Sequence, residues 1–258
     1  MIRKTRGLVI GEQSVKESDR YITILTATEG LVKATAYGAR KTSSPIAAQT
    51  RLFACADFNL SQSRGYYKVD SADTVETFFE LSGSMENVAA ASYFCELLSD
   101  VALAGIADEE TLRLALYALY ALAKQNRPHA LVKAVFELRL MAISGYEPLL
   151  SDCGDCGKPI EGDCFFSQRD GCVVCGSCAR KLYGNVKLNP PALAAMRYTV
   201  TAPVEKLFRF SLTGDSFPLF AAACEAYALA QMDRSYKALG VYKSIAAFSA
   251  LVPTDQTT

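Results

Sequence analysis

Tryptophan is absent from the chain and histidine occurs once, at His129. The first absence removes indole platforms for stacking bases. The second removes every metal site built from several imidazoles, and with it most catalytic zinc centres. An excess of one charge is missing too: 27 Lys and Arg stand against 27 Asp and Glu. A uniformly basic coat for nucleic acid is thereby excluded, and any anion-binding surface must be local. Long apolar runs are also lacking. After Met1-Ile2-Arg3-Lys4, the stretch Leu8-Val9-Ile10 is too short for a signal-peptide core. No run reaches the roughly 18 apolar residues of a membrane span. Phe217 to Met232 comes nearest, but it carries Glu225 and reads as a buried helix. A cytoplasmic place and no membrane association are expected. No GxxxxGK[ST], GxGxxG or GxSxG run occurs, so no nucleotide site or serine nucleophile is expected. His129 reads as a surface or capping residue. Glu12, Glu17, Asp19, Glu109 and Glu110 read as solvated charges. No acid–base pair emerges and no enzyme is expected.

What is present is an ordinary globular balance: 258 residues, half of them hydrophobic and 21% charged. The pattern changes near residue 80. Before it, short segments alternate with period two: Thr5–Ile10, Tyr21–Thr26, Leu31–Tyr37, Arg51–Ser61 and Tyr66–Ala72. Val32, Ala34 and Ala36 share one face, and so do Leu52, Ala54, Ala56, Phe58 and Leu60. Such alternation marks half-buried strands. Thr28-Glu29-Gly30 reads as a hairpin turn. Five strands in so short a span suit a small closed OB-fold barrel. After residue 85 the period is helical. The third helix is expected to be capped by Asn126, to carry Pro128 in its first turn and to stop at Gly145. Further helices are expected after Pro190-Pro191 and after Pro203, and a last long one over about Phe217–Leu239. The fold class is therefore α+β. Boundaries are expected at 1–80 for the barrel, 81–152 and 181–250 for the helical parts, 153–180 for a cysteine insert and 251–258 for a flexible tail.

Nine cysteines in a chain without an export signal favour metal over disulfides. Cys153-Gly-Asp-Cys156 is followed by 18 residues and then Cys175-Gly-Ser-Cys178. Two such pairs, loosened by glycines such as Gly157 and Gly176, supply four thiolates to one tetrahedral zinc. A closed shell leaves no place for water, so the zinc is structural. Cys172-x2-Cys175-x2-Cys178 also resembles the start of a ferredoxin run, but no further Cys-Pro follows. Cys164 and Cys172 are spare, and Cys55, Cys95 and Cys224 are core residues.

The first 70 residues hold eleven Lys and Arg against six Asp and Glu. The outward face of the third strand carries Lys33 and Tyr37, and that of the fifth Tyr66 and Lys68. The loop Gly38-Ala-Arg40-Lys41-Thr-Ser-Ser follows at once. Cations track phosphate and rings stack on bases, as single-stranded nucleic acid requires. Lys33, Arg40 and Lys41 are the leading candidates, with Arg20 and Arg51 beside them.

Glu17-Ser-Asp-Arg20, Gly30-Leu-Val-Lys33, Gly38-Ala-Arg40-Lys41, Phe136-Glu-Leu-Arg-Leu140 ending at Gly145-Tyr-Glu-Pro148, and the cysteine block with Phe166-Ser167 inside it follow one another in a specific order. In these residues and their order the chain resembles the RecO family of bacterial recombination mediators over nearly its whole length, to about residue 245. The family often has Gly-Gly where this chain has Gly171-Cys172, which leaves open whether Cys172 replaces a ligand. The resemblance implies a non-catalytic protein of DNA repair, associated with the nucleoid, that binds single- and double-stranded DNA and anneals single strands. It implies RecR as a partner, help in loading RecA, and contact with the C-terminal tail of SSB. For that acidic tail the third helix is the expected dock, through Arg127, Lys133 and Arg139 around an apolar slot. A zinc-ribbon factor of transcription or translation is the alternative.

Overall fold

The computed structural model describes residues 2–63, 65–179 and 185–251. The alternating N-terminal segments form β1 (Ile2–Val15), β2 (Asp19–Thr26), β3 (Gly30–Ala36), β4 (Cys55–Ser63) and β5 (Tyr66–Glu76). They close into a barrel in the order β1-β2-β3-β5-β4. The β3–β5 pair is parallel, and β1 closes on β4 antiparallel. This is the OB-fold order. Val9, Ile22, Ile24, Val32, Ala34, Phe58, Leu60 and Val69 fill the interior. Their alternation with exposed neighbours is what makes these segments strands and not helices.

β1 is longer than the expected Thr5–Ile10. Its register shifts between Val9 and Gly11, so one bent strand serves β4 with its first half and β2 with its second. The Arg51–Ser61 run is shorter than expected. Phe53 takes a left-handed φ of 68°, which no continuous strand tolerates. Pairing in β4 begins at Cys55, and Leu52 stays outside the barrel core. The Thr28-Glu29-Gly30 turn stands as expected. Gly30 has φ 60°, and a Cβ there would lie 2.0 Å from the Leu103 carbonyl oxygen.

The chain divides into two compact units, Met1–Lys124 with Tyr236–Thr258, and Gln125–Ser235. In the first, α1 (Met85–Val101), α2 (Glu109–Ala123) and α7 (Lys237–Leu251) accompany the barrel. Ser84 caps α1 by accepting from the Asn87 N–H, and Asp108 caps α2 by accepting from Thr111. The tail expected to be flexible lies, beyond Leu251, outside the described residues.

The second unit holds α3 (His129–Ile143), a three-stranded sheet of β6 (Cys164–Ser167), β7 (Cys172–Cys175) and β8 (Asn185–Leu188), the short α4 (Gly176–Ala179), α5 (Pro190–Thr201) and α6 (Ser216–Met232). Gly145 ends α3 with φ 92° as expected, but Asn126 does not cap it. Asn126 sits in a left-handed turn, and Pro128 holds the cap position itself. Pro203 introduces a 3-10 turn over Val204–Lys206, not a helix. The long helix expected over Phe217–Leu239 is two. Asp233 turns left-handed at φ 48° and ends α6, and α7 starts afresh at Lys237. Among the described residues, no helix is long and apolar enough to cross a membrane.

α3 is buried on nearly every side. Lys133 on it is 5% exposed and lies 2.8 Å from both Glu137 of α3 and Glu225 of α6. Burial works to lower its pKa, and the two carboxylates more than reverse this, so it lies above the usual lysine value. The Glu225 that interrupts the apolar run of α6 is thus an internal counterion.

Candidate nucleic-acid interface and metal centre

The outward face of β2, β3 and β5 assembles four of the eight expected DNA-binding residues. Register places Thr23 opposite Lys33, Tyr21 opposite Thr35, and Thr35 beside Lys68. Lys33, Lys68, Tyr37 and Tyr66 are exposed on it, with Tyr66 75% accessible. Their inward neighbours Val32, Ala34, Ala36 and Val69 are core. Lys68 is partly occupied, because its ammonium lies 2.9 Å from Asp70 and holds that carboxyl below its usual range. An exposed pair of this kind is weak and yields readily to phosphate.

A second group of cations gathers beside this face. Arg40 donates to the Lys16 carbonyl at 3.0 Å, and its own N–H reaches Ser18. The Gly38 N–H donates to Asp19 at 2.8 Å and is the main cause of the lowered pKa of that carboxyl; burial works against it, and the Ser18 hydroxyl, Lys16 and Lys41 add to the lowering. Among the described residues, Lys33, Lys41 and Arg51 have no carboxylate partner within ion-pair distance. Arg20 is placed otherwise. It is 8% exposed and donates to the Ala47 carbonyl and to Thr50 Oγ1. Burial lowers its pKa; Glu12 raises it, while Arg51 and Arg40 lower it further. Arg20 therefore holds the 46–50 segment against the barrel and contributes field, not an open contact. Lys16 and Tyr21 were not singled out from sequence. Each is a lone residue in its segment, and only the β1–β2 turn and the cross-strand register bring them to the others.

The residues expected to dock the tail on α3 are engaged within their own unit. Lys133 is consumed by Glu137 and Glu225. Arg139 donates to the Val200 carbonyl and Arg127 to the Phe210 carbonyl. Phe136 and Leu140 are fully buried. Of these residues Lys133, Phe136 and Leu140 are buried, and Arg127 and Arg139 are half-buried.

The cysteine insert brings Cys153, Cys156, Cys175 and Cys178 together, with their sulfurs all within 4.8 Å of one another. Cys156 and Cys175 Sγ are 3.9 Å apart. A tetrahedron with metal–sulfur bonds near 2.3 Å has edges of about 3.8 Å, so the four fit one ion. Gly157 turns the first knuckle with φ 68°; Gly176 needs no positive φ and opens α4. The Cys175 N–H donates to Cys153 Sγ at 3.3 Å. Burial raises the Cys153 pKa, but N–H groups of Cys175, Cys156 and Asp155 bring it below the usual thiol value. The Ser177 hydroxyl first, and the Cys178 N–H after it, lower Cys175 to about 6. Donors aimed at thiolate are the usual second layer of a thiolate metal site. Cys172 is not in the cluster. Its sulfur packs where a Gly154 side chain would be, 2.6 Å from that Cβ position. Cys164 is buried in β6, and Cys55, Cys95 and Cys224 are core, their thiols pushed up in pKa by burial.

The insert is tied to the helices. Phe166 meets Tyr227 of α6 edge to face at 5.2 Å, and the Tyr227 hydroxyl donates to the Tyr146 carbonyl at 2.8 Å. The Phe166-Ser167 and Gly145–Pro148 segments are thereby one contact.

The family description "Recombination protein O N terminal" matches residues 1–78, and "Recombination protein O C terminal" matches 82–239. The chain is 30% identical over 242 residues to the "DNA repair protein RecO" of Acetivibrio thermocellus, covering 94% of this chain and 96% of that one. It is 29% identical to the protein of that name from Symbiobacterium thermophilum, over 90% and 92% of the two chains. With that of Alkaliphilus metalliredigens it shares 26% identity over 95% and 100%.

Proposed function

The chain belongs to the RecO family of DNA repair proteins, and from that premise we propose that its barrel binds single-stranded DNA and anneals complementary strands without catalysis. The observation that carries this reading is the concentration of exposed tyrosines and cations without carboxylate partners on one side of the OB barrel. Annealing needs only that cations screen the repulsion of two phosphate backbones while bases stay free to pair. No acid–base constellation and no nucleotide are called for. RecR, help in loading RecA, binding to duplex DNA and contact with the SSB tail come with family membership and carry no assigned docking residues. Family membership also favours repair over a factor of transcription or translation. The place of action is the nucleoid, in the cytoplasm.

Lys33, Arg40, Lys41, Arg51 and Lys68 are the phosphate contacts in this reading, and Tyr37 and Tyr66 the stacking rings. Arg20 positions the segment that carries Arg51. The metal of the cysteine cluster is zinc, since four thiolates and no histidine favour it. Its part is structural: it holds the 153–178 insert in shape and supplies no chemistry.

Arg40 and Lys41 replaced together by Ala test the interface. Each phosphate contact on a single strand contributes about 0.7 to the slope of log affinity against log salt. The double variant is expected to weaken binding across all sequences and flatten that slope by roughly 1 to 1.5. An unchanged slope would put the strand on another surface.

A further inference from the structure

Three phenylalanines meet at one cavity of the first unit. It holds about 560 Å³ and is lined by Glu12, Arg51, Leu52, Phe53, Phe78 and Phe79, among others. Phe53 and Phe78 form its buried wall, 8% and 3% exposed. Both take left-handed backbone conformations, φ 68° and 47°. That region is unfavourable for bulky residues, and strain of this kind gathers where a ligand is held. Phe79 stands at the lip, 71% exposed, with the Lys124 ammonium 5.3 Å from its ring centroid. Lys124 is fixed there by Glu76 and Glu80.

Charge at the mouth decides what the cavity takes. The carboxylate of Glu12 accepts the Leu52 N–H at 2.7 Å, so it is engaged with backbone. Arg51, exposed and without a carboxylate partner among the described residues, stands beside it. It belongs to the same local field as Arg40, which leads on to Lys41. An apolar chamber with an exposed ring at its edge and a free guanidinium beside it matches a nucleotide: flat ring, then phosphate. An apolar protein segment would gain nothing from the cations.

We propose that this cavity receives one or two unstacked bases of the bound strand, with a base ring against Phe79 and its phosphate on Arg51. The inference rests on the DNA-binding reading above and adds to it a site that holds bases out of the stack. Bases held there are unavailable for pairing, so the cavity would set how readily a bound strand is released into a duplex.

The test compares a short oligothymidylate with the same strand carrying abasic positions, binding to the full chain by fluorescence anisotropy. The variants are Phe79→Ala, which removes the lip, and Ala48→Trp, which fills the cavity from an exposed position on its rim. The natural chain is expected to prefer the intact strand by about 5- to 150-fold, the range of base–aromatic stacking. Both variants are expected to lose the cavity's share of that preference and keep the share due to Tyr37 and Tyr66, with unchanged affinity for the abasic strand, unchanged salt slope and unchanged melting temperature. Full preference retained in both variants would overturn the proposal and leave DNA binding intact. So would equal weakening toward both strands. If the natural chain binds neither strand, the DNA reading itself fails, an outcome distinct from the other two.

Discussion

Replacing Cys153 by Ser is expected to empty the cysteine cluster and loosen the whole Gln125–Ser235 unit. Cys153 is 2% exposed and packs with Val174 and Cys178 at the centre of the insert. Ile160 and Phe165 are only partly buried against it, so a metal held by the four thiolates would add to a small core. Structural zinc contributes on the order of 10 kcal/mol to the folding of isolated Cys-rich modules. Here the strands β6, β7 and β8 and the Phe166–Tyr227 contact support the fold as well, so the expected loss is smaller, about 3–5 kcal/mol. For a unit of this size that is a fall of roughly 15–20 °C in Tm. Metal analysis of the natural chain is expected to find about one zinc per molecule, and of the variant almost none. Cys172→Ser, by contrast, is expected to keep its metal, because Cys172 packs against Gly154 outside the cluster. Equal loss of metal from both variants would contradict the ligand set. DNA binding is expected to survive in Cys153→Ser, since the proposed contacts lie in the other unit.

Lys133→Ala is expected to be as damaging by a different route. The substitution removes the ammonium that lies 2.8 Å from Glu137 and 2.8 Å from Glu225. Glu137 is fully buried. Breaking a buried pair by deleting one partner typically costs about 3–5 kcal/mol, because the remaining charge stays out of water. Lys133→Met with Glu137→Gln and Glu225→Gln is expected to recover most of that loss, as an apolar or neutral replacement of all partners usually does. The pH dependence follows from the raised pKa of Lys133. Its stabilising contribution is complete below the unfolded lysine value and is lost as pH rises through the higher folded one. Stability of the natural chain is therefore expected to fall in the alkaline range, more steeply than in the triple variant. Urea titrations across that range check both statements. A Lys133→Ala protein as stable as the natural one would contradict the buried triad.

The barrel was legible from sequence because period two is a local signal. Val32, Ala34 and Ala36 alternate with Leu31, Lys33 and Thr35 whatever the rest of the chain does. The cysteine cluster was legible for a similar reason: a CxxC spacing carries its geometry with it. What escaped depends on tertiary partners. Lys133, Arg127 and Arg139 look from sequence like cations on an amphipathic helix. Their acceptors, Glu225, Phe210 and Val200, lie 61 to 92 residues away, and no local pattern reveals that α3 is enclosed. Arg20 misleads in the same way, since its acceptors come from the 46–50 segment. The break at Asp233 is hidden because Asp, Arg and Ser interrupt a helical pattern no more than many helices tolerate. The strand β8 was missed because four residues, Asn185–Leu188, are too few to show a period. The cavity beside Phe79 combines both kinds of loss. Its Arg51 and Leu52 were assigned to a strand, and its left-handed Phe53 and Phe78 carry no sequence mark.

Photo-crosslinking of a thymidine-analogue single strand to the full chain, followed by peptide mapping, measures most directly where DNA lies. Adducts are expected on Tyr37, Tyr66 and the 38–51 segment. Adducts confined to residues 125–235, with none on the barrel, would contradict the assignment of the barrel as the DNA-binding surface.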